Sequence, residues 1–169
     1  SRNIVAMATA TTALSTGQFG QFPLYVFTGE GVFALSVGTG DIAYANSFSV
    51  TRDVCNNPDS IVSTDDAIVF STDSGLKVLS GSTVRDISSD MEGYLPTAVD
   101  SSPIIKKIAG VGGFSDKLSS TEFIYYLEEA KVGYNYKDKE VIVANRNYPY
   151  SYVFNMQSGS WYKISASIN

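Results

Sequence analysis

Two short stretches of this chain, 44 positions apart, match turn for turn. Phe27-Thr28-Gly29-Glu30-Gly31-Val32-Phe33-Ala34-Leu35 and Ser71-Thr72-Asp73-Ser74-Gly75-Leu76-Lys77-Val78-Leu79 share the threonine, the second turn glycine and the final leucine. Each sets apolar residues on both sides of a small polar turn, where glycine supplies the positive φ that other residues avoid. A chain that repeats such a hairpin is committed to antiparallel strands. The offset also matches the roughly 40 to 45 residue period of four-stranded propeller blades. After each hairpin a further strand ends in an Arg-Asp pair, Arg52-Asp53 and Arg85-Asp86. Those pairs are 33 apart, so the first copy carries about eleven extra residues in its outer part. Repetition is then confined to the inner hairpin. A third copy, by pattern rather than identity, spans Glu140 to Ser165, EVIVANRNYPYSYVFNMQSGSWYKIS, with an aromatic residue just after the outer turn placed to pack between neighbouring sheets.

Alternation of apolar and polar residues predicts strands at Leu24–Phe27, Val32–Val37, Ile42–Phe48, Ala67–Ser71, Leu76–Leu79, Thr83–Ile87, Val132–Tyr136, Glu140–Ala144, Ser151–Asn155 and Trp161–Ile164. Lys137-Asp138-Lys139 and Gln157-Ser158-Gly159 complete the set of hairpin turns. One segment departs from this rhythm. SSTEFIYYLEEA, Ser119 to Ala130, offers Ser119 as N-cap, Glu122 to complete a capping box, Leu118 to staple against Phe123, and an apolar stripe at Phe123, Leu127 and Ala130. It predicts a short helix over 119–130, packed on a sheet and stopped at Gly133. Ahead of it the stretch 96–118, from Pro96 through Lys117, has little periodicity and reads as an irregular excursion available for contact with another subunit. The fold class expected is all-β: a partial or open propeller-like repeat of about three blades in one domain spanning 1–169, part of a larger protein. The first methionine is Met7, so the natural chain is expected to extend beyond Ser1.

Composition narrows function by exclusion. With 12 basic against 17 acidic residues the net charge is -5, which repels phosphate backbones, so tight nucleic-acid binding is not expected. No apolar run approaches the roughly 18 residues of a membrane span, and no membrane partner is expected. The single cysteine, Cys55, forms no internal disulfide and reads as a buried thiol. The chain has no histidine, which removes Ser-His and Cys-His nucleophile systems and the commonest zinc ligand. Gly110-Val111-Gly112-Gly113 lacks the lysine of a phosphate cradle and reads as a loop. Asp59, Asp65, Asp66, Asp73 and Glu128-Glu129 are the carboxylates available to a glycosidase, but they read as water-exposed turn and helix-end acids; Asp59, Asp65, Asp66 and Asp73 are the candidates for calcium, but they lack the EF-hand spacing, and solvated turn acids are the plainer reading. No catalytic residue, cofactor or metal is assigned.

Tyr148, Tyr150 and Tyr152 alternate, and Trp161 follows across a turn. Exposed, such a row stacks on a sugar or on another protein; buried, it is a layer between blades. These four are the candidate interaction residues, with Arg146 beside them as a possible cation-π partner.

ALSTGQFGQFPLYVFTGEGVFAL, SVTRDVCNNPDSIVSTDDAIVFSTDSGLKVLSGSTVRDIS and FIYYLEEAKVGYNYKDKEVIVANRNYPYSYVFNMQSGSWYKIS together resemble propeller-like virion proteins of tailed bacteriophages and of prophages in Bacteroides-type hosts. The most specific pieces are GQFPLYVFTGEGVFAL, RDVCNNPDSI and YSYVFNMQSGSWYK. The resemblance covers most of the chain. It implies a non-enzymatic structural role in head-to-tail or tail assembly, comparable to packaged-DNA stabilisation proteins. It further implies other virion subunits as partners in an oligomer, and a virion location after assembly in the bacterial cytoplasm. Only about three blades fit in the chain, against the roughly 4 to 8 of closed propellers. A carbohydrate- or receptor-binding β-domain using the tyrosine row is the alternative, and a propeller glycosidase or lyase comes third.

Overall fold

A computed structural model describes residues 3–9, 22–37, 44–88 and 120–164. They form three antiparallel sheets of four strands each, every sheet a simple meander. The first contains β1 (Ile4–Thr9), β2 (Leu24–Thr28), β3 (Gly31–Val37) and β4 (Tyr44–Thr51). The second contains β5 (Val62–Ser63), β6 (Ile68–Thr72), β7 (Gly75–Ser80) and β8 (Thr83–Asp86), entered through a short 3-10 helix at Pro58–Ser60. Helix α1 (Ser120–Glu128) leads into the third, made of β9 (Lys131–Asn135), β10 (Glu140–Ala144), β11 (Ser151–Asn155) and β12 (Ser160–Ile164). The mostly-β expectation holds, and all ten expected strands are present to within a few residues. β1 and β5 were not expected.

The hairpin repeat holds at the level of individual hydrogen bonds. Thr28 Oγ1 donates to the Gly31 carbonyl at 3.0 Å and accepts from Glu30 N at 3.1 Å; Thr72 Oγ1 donates to the Gly75 carbonyl at 3.0 Å and accepts from Ser74 N at 3.2 Å. Gly31 and Gly75 follow with φ of 128° and 126°. The third sheet closes its outer hairpins with a different device. Asn135 and Asn155 each accept two backbone N–H groups of a four-residue turn, which ends in a positive φ at Lys139 and Gly159. The middle hairpin of that sheet, the counterpart of the repeated one, connects β10 to β11 through 145–150 rather than through a two-residue turn, which is why the third copy matches in order but not in identity.

The Arg-Asp pairs are not equivalent positions, which corrects that part of the repeat. Asp86 lies within β8 opposite Lys77, whose ammonium it accepts at 2.7 Å, whereas Asp53 lies beyond the end of β4 and accepts from the Thr51 hydroxyl. Gly133 is likewise no helix stop: it sits inside β9, paired with Ile142. Helix α1 ends earlier, at Glu128, because its last carbonyls are taken by side chains from elsewhere. Ser119 and Leu118, and the whole 96–118 excursion, lie outside the described residues.

The three sheets stack face to face, with the second as the middle layer. On one side Tyr25, Phe27, Val32 and Ala34 of the first sheet meet Ile68, Phe70 and Leu79 of the second, with Phe27 edge-on to Phe70 at 5.2 Å. On the other side Val69, Leu76 and Val78 meet α1 and, beyond it, Val141, Val143, Tyr152, Phe154 and Trp161 of the third sheet. Successive residues of β6 thus point to opposite cores, so the strand is buried along its whole length. A strand covered on both faces loses its polar alternation, and Ile68-Val69-Phe70 shows this directly. First strands adjoin from sheet to sheet, β1 against β5 and β5 against β9.

Buried asparagines hold the helix end. Asn57 Nδ2 donates to the Leu127 carbonyl (2.9 Å) and the Ala130 carbonyl (2.7 Å), while its Oδ1 accepts from Asp59 N and starts the 3-10 helix. Asn145 Nδ2 donates to the Tyr126 carbonyl at 2.8 Å. An asparagine side chain satisfies these otherwise orphaned carbonyls at a buried helix end. Replacing Asn57 with Ala strands them, and the expected loss is about 2 to 3 kcal/mol, read from the urea midpoint.

Candidate interaction site

The aromatic residues singled out from the sequence gather around helix α1. Tyr126, in the middle of that helix, stacks parallel to Tyr150 with ring centroids 5.6 Å apart and touches Tyr148 and Tyr152. Its hydroxyl donates toward the Tyr150 carbonyl (2.8 Å) and the Val143 carbonyl (3.1 Å), and accepts from Asn145 N (3.0 Å). Burial drives its phenol well above the ordinary range, so it stays protonated and keeps donating. Phe123 completes the layer, edge-on to Tyr152 and Trp161. Trp161 Nε1 donates to the Ile87 carbonyl at 2.7 Å, tying the third sheet to the second.

Of the four candidate residues, Tyr152 and Trp161 are each 1% exposed and Tyr148 and Tyr150 are partly buried against the same core. Only Tyr152 belongs to β11, which starts at Ser151; Tyr148 and Tyr150 precede it in the connection from β10. The row is therefore assembled around a helix side chain rather than along one strand. Trp161 packs between neighbouring sheets as its place after the outer turn predicts. Tyr126 was missed, although it stands three residues after Phe123 and one before Leu127 and so shares their helical face. Asn57 carried a local signal, since Asn-Pro-Asp is a helix-start pattern; its reach to a helix 70 residues later had none.

Two clefts open beside this core. One, of about 490 Å³, lies where the second and third sheets meet and is lined by Asp65, Arg85, Tyr134, Lys139, Gln157 and apolar neighbours. There Asp65 accepts from the Lys139 ammonium and from the Tyr134 hydroxyl (3.2 Å), which hold its carboxyl below the usual range. A general acid needs the opposite shift, so Asp65 is not suited to the acid role of a glycosidase pair. The other, of about 620 Å³, is lined by Asn57, Asp59, Glu128, Glu129, Lys131, Ala144 and Arg146. Glu129 there accepts from the Asn147 amide. Arg146 is exposed, and Asp73 accepts from Asn56 at the Asp73-Ser74 turn. No group of three metal-ligating side chains occurs among the described residues. Cys55 is buried between the first two sheets, and burial pushes its thiol up.

The arrangement as a whole is aromatic and apolar within, with residues of both charges lining the two clefts. The chain matches no family model and no curated protein.

One titration is open to direct test. Tyr162 donates to Glu140 Oε1 at 2.6 Å, and burial together with that carboxylate pushes its phenol up from 10 to about 12. A raised pKa means the folded state holds the proton more tightly, so this contribution is intact below pH 10 and is lost as the pH rises to 12. Phenolate absorbance of the wild type minus that of Tyr162→Phe is expected to rise near pH 12. A difference rising near pH 10 would mean the Glu140 contact does not form in solution.

Proposed function

We propose that this chain is a non-enzymatic structural component of a phage or prophage virion, built from propeller-like blades and acting at the head-to-tail junction or tail through contacts with other subunits. The observation that carries this reading is the stack itself. Three four-stranded meanders lie face to face with their first strands adjacent, and a hairpin recurs at a fixed offset, as blades do when they succeed one another around an axis. The negative charge suits a wall past which nucleic acid slides without sticking. Support for the virion role comes from the resemblance carried by GQFPLYVFTGEGVFAL, RDVCNNPDSI and YSYVFNMQSGSWYK.

The test is the composition of purified particles. Peptides from this chain are expected, at a fixed stoichiometry, in gradient-purified phage particles from the bacterium that carries the gene. Complete particles without it contradict the reading. A glycan array separates the alternative: binding that disappears in Tyr150→Ala while the fold survives would favour a carbohydrate-binding domain.

A further inference from the structure

The cleft of about 490 Å³ between the second and third sheets holds polar groups of two kinds. Asp65 and Lys139 spend their charges on each other, and the Tyr134 hydroxyl donates to the same carboxylate. The other two charged residues of the lining, Asp66 and Arg85, are of opposite sign, so the cleft has no surplus charge with which to attract an ion. The second kind is unspent. The Arg85 guanidinium, the Gln157 side-chain amide and the Thr83 hydroxyl line the cleft and hydrogen-bond to no other described residue, and all three residues are exposed. Together they offer donors and acceptors for several hydroxyl groups.

Beside these groups the lining is aromatic and apolar, with Tyr134, Val78 and Met156. Tyr136 stands edge-on to Tyr134 with ring centroids 4.9 Å apart and is 63% exposed, which carries the aromatic surface outward from the cleft. The wall is fixed in advance. Lys139 has a φ of 57°, in the left-handed region, where the corresponding place of the turn after Asn155 has Gly159 at 65°. A lysine there bears backbone strain that glycine would avoid, and its ammonium reaches Asp65 in the connection from β5 to β6. The two sheets are thus tied across the cleft before any ligand enters, which lowers the cost of ordering a site on binding.

We propose that this cleft binds a neutral saccharide, with one pyranose ring against Tyr134 and its hydroxyls shared among Arg85, Gln157 and Thr83. A sugar ring is apolar on its C–H faces and polar around its edge, so it matches a site that sets an aromatic ring beside unspent donors and acceptors without net charge. The volume lies within the roughly 300 to 1,000 Å³ of small-ligand sites. The site uses none of the tyrosines packed around Tyr126, and it goes beyond the assembly role without depending on it.

An array of neutral and acidic oligosaccharides probed with the 169-residue chain tests it, followed by calorimetric titration with an oligosaccharide that the array retains. Neutral glycans are expected to bind. Tyr134→Ala is expected to weaken binding about tenfold or more and Gln157→Ala about three- to tenfold, while Tyr134→Phe, which keeps the ring, retains it. Tyr125→Ala removes an exposed tyrosine that lines neither cleft and is expected to leave binding unchanged. Circular dichroism melts confirm folding, and if Tyr134→Ala unfolds, Gln157→Ala and Arg85→Ala decide the matter. An array on which no neutral glycan is retained overturns the proposal. So does binding confined to acidic glycans and abolished by salt, since that behaviour is charge attraction to Arg85 alone. Binding lost in a folded Tyr150→Ala but intact in Tyr134→Ala also overturns it, by moving the site to the row around Tyr126. None of these results bears on whether the chain is found in purified particles, so the saccharide site and the virion role fail separately.

Discussion

Gly31→Ala is expected to destabilise the chain by about 3 to 5 kcal/mol, read as a lower urea midpoint with little change in slope. Two independent causes act at this position. The backbone has a φ of 128°, a region that side chains with a Cβ rarely adopt, and an added Cβ would stand 2.2 Å from the Thr51 carbonyl oxygen and 2.9 Å from the Arg52 Cα. Both obstacles are backbone atoms, so no side chain can turn aside. The register shift between Val32 and Phe33 brings the end of β4 over the turn, which is why the contact is so close. Gly29, two residues earlier, is the control: nothing lies within 4 Å of its added Cβ, and Gly29→Ala is expected to cost less than about 1 kcal/mol. Equal effects at the two positions would show that the hairpin does not approach β4 as described.

Trp161→Ala is the second large effect, at about 3 to 5 kcal/mol, because it removes the largest buried side chain from the layer between the second and third sheets. The ring touches Phe123 and Phe154, and its N–H serves the Ile87 carbonyl. Trp161→Phe separates these contributions. It keeps most of the apolar contact and strands the carbonyl, for an expected cost of about 1 to 3 kcal/mol. If the alanine variant lost little, Trp161 would not be the bond between these sheets, and the third sheet would be free to separate from the other two.

What the residues revealed, and what they hid, follows from how far each interaction reaches. The hairpins were readable because Thr28, Gly31, Thr72 and Gly75 make their bonds within three residues. The helix was readable from the spacing of Phe123, Leu127 and Ala130, all fully buried. β1 escaped notice because Ala6 and Ala8 are its inward residues, and alanine next to Met7 gives weak alternation. β5 is two residues long, too short for any period to appear. The Arg-Asp pairs misled because identity in sequence was taken for identity in register, and β4 with its two register shifts runs twice the length of β8. The tyrosine row was visible as a pattern, but its burial depended on Tyr126 arriving from a separate helix. No local signal announces that.

Hydrogen exchange read by mass spectrometry tests the stacked arrangement most directly. A middle sheet covered on both faces must open only with the whole structure, so amides of β6 and β7, Ile68 to Ser80, are expected to exchange most slowly, at the rate set by global unfolding. Those of β1, whose strand carries Ile4 and Met7 largely exposed, are expected to exchange much faster. Exchange of Ile68 to Ser80 as fast as that of β1 would contradict a covered middle sheet, and with it the stack on which the assembly role rests.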